Sequence, residues 1–172
     1  APVQQEPLCK VLRIGELYVA LHGKKTLFSD KFDAFTTEFP DDRKPDLTIQ
    51  IHDHFPLSKK NGTLLLRNQD LYVIDAGDSY TLLFPSMVDV YEGHLTKDGT
   101  QADIYCSPFR NEQLVEDLFH ALRLFYLYRA QKSGIFALHS ASILYNEKVW
   151  LFSGPSGTGK STHTNLWHKL YD

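Results

Sequence analysis

Gly154-Pro155-Ser156-Gly157-Thr158-Gly159-Lys160-Ser161 reads G-x-x-x-x-G-K-S, the phosphate-cradling pattern of a P-loop. Its flanks are those the pattern requires. Lys148-Val149-Trp150-Leu151-Phe152-Ser153 is a short apolar run of strand type, and Ser161 to Tyr171 reads as the opening of a helix. The glycines let the backbone curl so that successive N–H groups face an anion, because glycine takes positive φ cheaply and has no Cβ to block approach. The helix adds unpaired N–H groups and the positive end of its dipole. Gly154, Ser156, Gly157, Thr158 and Gly159 are therefore expected to form a phosphate nest. Lys160 is expected to reach the β- and γ-phosphates and Ser161 to ligate Mg²⁺, with Thr162 hydrogen-bonding a phosphate nearer the nucleoside. A glycine-rich turn would match by accident in roughly one chain in a hundred of this length, and the strand and helix context lowers that further.

The motif ends eleven residues before Asp172. A working P-loop site also needs an acid to hold Mg²⁺ and a group to position the nucleophile, normally from later strands. The chain also stops inside an amphipathic helical pattern without a C-cap. The expectation is a piece of a longer protein, the alternative a remnant that keeps a phosphate nest and little else.

The 172 residues carry a formal charge of −3, with 42% hydrophobic and 13% aromatic residues. That supports a core and gives no electrostatic footprint for nucleic acid. No apolar run is long enough to span a membrane, and Ala1 to Pro7 lacks the pattern of a signal peptide. The chain does not begin with Met, which hints at trimming. Two cysteines, Cys9 and Cys106, are too few for a disulfide scaffold and read as reduced cytoplasmic thiols.

From the N-terminus, Ala1 to Pro7 reads as a loose lead-in, and Lys10 to His22 as a strand or two meeting near Gly15. Phe32, Phe35 and Phe39 recur at helical spacing and read as core contacts. After the polar loop Asp41 to Asp46, Leu47 to His52 alternates cleanly. Strand-type runs then follow at Thr63–Arg67, Leu71–Asp75, Ser79–Phe84, Met87–Leu95 and Gln101–Cys106, separated by turns such as Lys60-Asn61-Gly62 and Asp75-Ala76-Gly77-Asp78. That spacing predicts an antiparallel meander. His52-Asp53-His54 reads as a solvated strand end rather than a metal pair, and Asp75, Gly77 and Asp78 as a hairpin turn rather than a cation loop.

Ser107-Pro108-Phe109-Arg110-Asn111 supplies an N-cap and an early proline, apolar residues recur from Leu114 to Tyr128, and Gly134 closes the segment. This predicts a helix of about six turns. Ile135 to Tyr145 reads as a strand, Asn146-Glu147 as a two-residue turn and Lys148 to Ser153 as its partner, so a hairpin feeds the glycine-rich loop. The fold class is α+β. An antiparallel β-meander domain is expected over 1–106. Over 107–172 a long helix, a β-hairpin and the start of a P-loop nucleotide-binding domain are expected.

The run from Leu138-His139-Ser140-Ala141-Ser142 through Gly154-Pro155-Ser156-Gly157-Thr158-Gly159-Lys160-Ser161-Thr162 resembles the start of the HPr kinase/phosphorylase-like catalytic domain. That domain is itself similar to the nucleotide site of PEP carboxykinases. In that family a strand carrying a His precedes a tight turn, a second strand and the P-loop, and His139 stands at the matching distance. The resemblance implies that His139 lies beside the transferred phosphate, with ATP and Mg²⁺ as cofactors. HPr kinases proper usually carry an acid where Pro155 stands and a Glu where Thr162 stands. The G-P-S-G-T-G-K-S-T-H-T form is closer to HPr-kinase-like proteins encoded beside peptide-modification enzymes.

The leading functional expectation is an ATP-dependent phosphotransferase acting on a hydroxyl of a protein, peptide or small molecule, with His139 and Lys160 as its catalytic residues. Two other readings stand beside it. One is an ABC-type or guanylate-kinase-like P-loop NTPase, against which the preceding helix and His-bearing hairpin count. The other is a non-catalytic nucleotide-binding or protein-interaction module. No nucleic-acid or membrane partner is expected. Incomplete sheet edges predict self-association.

Overall fold

The computed structural model describes residues 8–40, 42–57 and 61–171. The expected lead-in Ala1 to Pro7, Asp41 and Lys60 of two expected turns, and Asp172 lie outside the described residues. One compact unit runs to Ile135 and a second begins at Phe136.

The first unit is built on a mixed sheet. β1 (Leu8–Ile14) and β2 (Leu17–Gly23) form an antiparallel hairpin in which Ile14 pairs with Leu17, and Gly15 turns the chain with φ +61°. Of the two readings of this stretch, two strands meeting near Gly15 is the one that holds. A 3₁₀ segment, Asp30–Phe35, follows, with the Ser29 hydroxyl accepting from the Lys31 N–H. Of the three phenylalanines read as core, Phe32 is buried against Phe119, while Phe35 is 42% exposed and Phe39 lies beside the Tyr18 ring.

β3 (Leu47–His52) keeps the alternation read from its sequence: Leu47, Ile49 and Ile51 are buried, and Gln50 is exposed. Its place differs from a meander. β4 (Thr63–Arg67), β5 (Tyr72–Asp75), β6 (Ser79–Leu83), β7 (Val90–Thr96) and β8 (Gln101–Cys106) do pair consecutively and antiparallel. β3, however, inserts between β2 and β8 and runs parallel to both. The order across the sheet is β1-β2-β3-β8-β7-β6-β5-β4. Alternation reports which face of a strand is buried; it carries no information about the neighbour, and so the two parallel pairings are silent in the sequence.

One helix, α1 (Glu112–Lys132), lies on this sheet. Asn111 is its N-cap, accepting the Leu114 N–H at 2.7 Å, so Pro108 precedes the cap instead of opening the first turn. At the other end Ile135 N–H reaches Ala130 O at 2.9 Å and Gly134 N–H reaches Gln131 O at 3.0 Å, with Gly134 at φ +75°. This is a Schellman closure, which needs a residue content in the left-handed region. Leu114, Leu118, Ala121, Leu122 and Phe125 make one buried stripe. Phe125 sits on Gly93 of β7 so closely that a Cβ there would lie 2.7 Å from Phe125 Cζ. Three side chains tie the helix to main-chain carbonyls of the first unit: Tyr126 to Ile14, Tyr128 to Lys97 and Arg129 to Asp46. α1 therefore belongs to the sheet it covers. The unit boundary falls after Ile135 and not near Ser107, where the sequence shifts from strands to helix.

In the second unit β9 (Ser140–Tyr145) and β10 (Lys148–Ser153) form a hairpin, followed by the glycine-rich loop and α2 (Lys160–Tyr171). No described helix is long and apolar enough to cross a membrane.

Candidate functional site

The hairpin register determines what meets at the loop. Asn146 and Glu147 both take left-handed φ, 49° and 58°, as a two-residue turn of type I′ demands. Tyr145 then pairs with Lys148, and counting back along the ladder places Ser140 opposite Ser153. His139 is the next residue out, level with the start of the loop, and its carbonyl accepts from the Ser153 hydroxyl at 3.3 Å. The strand expected from Ile135 begins only at Ser140, so His139 stands just outside it.

Gly157 and Gly159 adopt φ of 79° and 81°. Two left-handed residues in so short a loop curl the backbone as the glycine pattern predicts, and a side chain at either would be strained. Thr158 Oγ1 braces the curve by donating to Pro155 O at 2.9 Å. Lys160 opens α2 and folds its ammonium back over the loop, donating to Gly154 O at 2.8 Å and Pro155 O at 2.9 Å.

His139, Ser156, Gly157, Gly159, Lys160, Ser161 and Thr162 line a single cavity of about 350 Å³. Of the residues singled out from sequence, Gly154 and Thr158 do not face it; they shape the loop behind it. Two hydroxyls on the first turn of α2, the Ser156 hydroxyl, the Lys160 ammonium and an imidazole thus surround one space at a helix N-terminus. That donor set suits an anion with several oxygens. Among the residues lining it there is no carboxylate. Ser161 is the lining residue expected as a Mg²⁺ ligand, and the described residues hold no group of three or more His, Cys, Asp or Glu arranged around a metal position.

α2 is held on the hairpin by one face of the ladder. Ile143 and Thr164 are buried, the Phe152 ring meets His163 at 4.7 Å, and Tyr145 meets Trp167 at 5.4 Å. Trp167 Nε1 donates to His163 Nε2 at 3.3 Å. His163 therefore packs the helix onto the strands and is absent from the cavity lining.

The other clusters weighed from the sequence resolve into local structure. His52 Nε2 contacts Asp103 at 2.7 Å and stacks on Tyr105, while His54 Nδ1 bonds Phe55 O at 2.7 Å. Tyr105 also meets the rings of His54 and His94, a grouping across three strands that no sequence spacing signals. Asp75 accepts the Gly77 N–H at 2.9 Å and pairs with Lys97 at 2.6 Å, which holds its carboxyl below the usual carboxylate range. Cys9 and Cys106 are free thiols; burial pushes Cys106 up to about 12, so it stays protonated in the core. No protein-family model, curated protein or solved structure matches the chain.

Proposed function

We propose that residues 136–172 hold the phosphates of Mg·ATP and form the nucleotide end of a phosphotransferase of the HPr kinase-like type. The acceptor would be a hydroxyl of a protein, peptide or small molecule. One observation carries this reading: His139 and five residues of the G-x-x-x-x-G-K-S motif, with Thr162, converge on one cavity at the N-terminus of α2. In this reading the backbone N–H groups of Gly157, Gly159 and Lys160 take phosphate oxygens. The Lys160 ammonium exchanges its two loop carbonyls for the β- and γ-phosphates. Ser161 ligates Mg²⁺, which neutralises charge on the transferring group, and His139 lies beside that group. A reduced, ATP-rich compartment, the cytoplasm, suits the free thiols.

Nucleotide binding without turnover is the second reading. It is favoured by the lack of a carboxylate among the lining residues, since in-line transfer needs one to hold the metal and to position the nucleophile. Both readings require the phosphate nest. Calorimetric titration of Mg·ATP is expected to show saturable binding that weakens about 10- to 100-fold in Lys160→Ala. Equal affinity in the variant would remove the assignment. Phosphate transfer to a hydroxyl acceptor then separates the two readings.

A further inference from the structure

Thr158 belongs to the motif by sequence, yet it is absent from the cavity lining, and its hydroxyl is spent within the loop itself. It donates to Pro155 O at 2.9 Å, a bond that reaches back three residues and closes the curl. The same hydroxyl lies against Gly154, where a Cβ would stand 3.3 Å from Thr158 Oγ1. Pro155 O also accepts from the Lys160 ammonium at 2.9 Å, so both lone pairs of one carbonyl are occupied. Thr158 stands between Gly157 and Gly159, both at left-handed φ. Glycine loses more freedom on ordering than any other residue, so a loop built on two of them is costly to hold curled. A bond that holds the curl before an anion arrives removes part of that cost from binding.

We propose that Thr158 is a positioning residue of the nucleotide site, setting phosphate affinity through the curl of the loop while its side chain touches no ligand. The inference rests on the nucleotide reading above, and what the brace holds in place is the backbone N–H groups of Gly157, Gly159 and Lys160. When the Lys160 ammonium leaves Pro155 O for phosphate, the Thr158 hydroxyl stays and keeps that carbonyl bonded. Loss of the hydroxyl therefore acts twice in one direction. The loop gains freedom, and Pro155 O is left to Lys160 alone, which ties the ammonium more firmly to the empty loop.

Thr158→Ala and Thr158→Ser differ from each other by that hydroxyl alone, and both are compared with the parent chain. In the nucleotide-free protein, backbone order at Gly157 and Gly159, read from nitrogen relaxation, is expected to fall in Thr158→Ala and to be kept in Thr158→Ser. The Trp167 Nε1–H resonance is expected to stay in place in both, since α2 keeps its seat on the hairpin. Mg·ATP, titrated by calorimetry, is expected to bind Thr158→Ala about 3- to 10-fold more weakly than the parent, and Thr158→Ser within about 2-fold of it. Parent-like affinity in Thr158→Ala would overturn the proposal, as would a Thr158→Ser variant as weak as Thr158→Ala. Weakened binding with unchanged order at both glycines would overturn it too, because the hydroxyl would then act on phosphate directly. Those three results leave the nucleotide reading standing, whereas a parent chain that binds no Mg·ATP removes both.

Discussion

Thr81, in the middle of β6, has a hydroxyl that is buried and lacks a hydrogen-bond partner among the described residues. Leaving such a group unsatisfied costs about 1–3 kcal/mol, whereas an isosteric methyl loses nothing. Thr81→Val is accordingly expected to raise the urea midpoint, by about 1 kcal/mol of stability; a lower midpoint would show that the hydroxyl has a partner. Residues of this kind are illegible in sequence, because a threonine in a strand reads the same whether its hydroxyl is wet or buried. The loop glycines are the opposite case. Gly157 and Gly159 stand at left-handed φ because the pattern that names them is a backbone requirement, so the geometry could be read before it was seen. His139 lies between these cases: its distance from the loop could be counted, but only the hairpin register shows that it arrives at the same cavity.

Among elements, α1 shows how local signals and packing divide the work. Its cap, its apolar stripe and its glycine closure are all in the sequence, and the helix runs where they place it. The partner of its stripe is not. Gly93 reads as an unremarkable glycine in a strand, yet it is the seat for the Phe125 ring. Gly93→Ala is expected to cost about 1–3 kcal/mol, because the ring must give way to the new Cβ. In a Phe125→Leu background the added cost should shrink, giving a coupling energy in a double-mutant cycle of denaturation midpoints. Strictly additive costs would contradict this contact. The hairpin is a second lesson. Its two-residue turn was legible, although Glu147 is an uncommon residue at left-handed φ, because the strands on either side leave room for no other connection.

For the whole molecule, the α+β class and most strand positions are legible in the sequence, and the seam between the two units is not. A change from strands to helix suggested a boundary near Ser107, but a helix belongs to whatever buries its stripe, and α1 is buried on the first sheet. The mixed pairing around β3 was hidden for a related reason: strand neighbours are a property of the assembled sheet. The site, by contrast, sits inside one contiguous stretch, 136–172, where spacing along the chain translates directly into geometry. The proposed nucleotide function requires that stretch to hold phosphate. Its most direct test is to follow backbone amide resonances of the full chain as Mg·ATP is added. Gly157, Gly159, Lys160 and Ser161 are expected to shift together and saturably, along with the His139 ring. Shifts confined to other residues, or none at millimolar nucleotide, would contradict it.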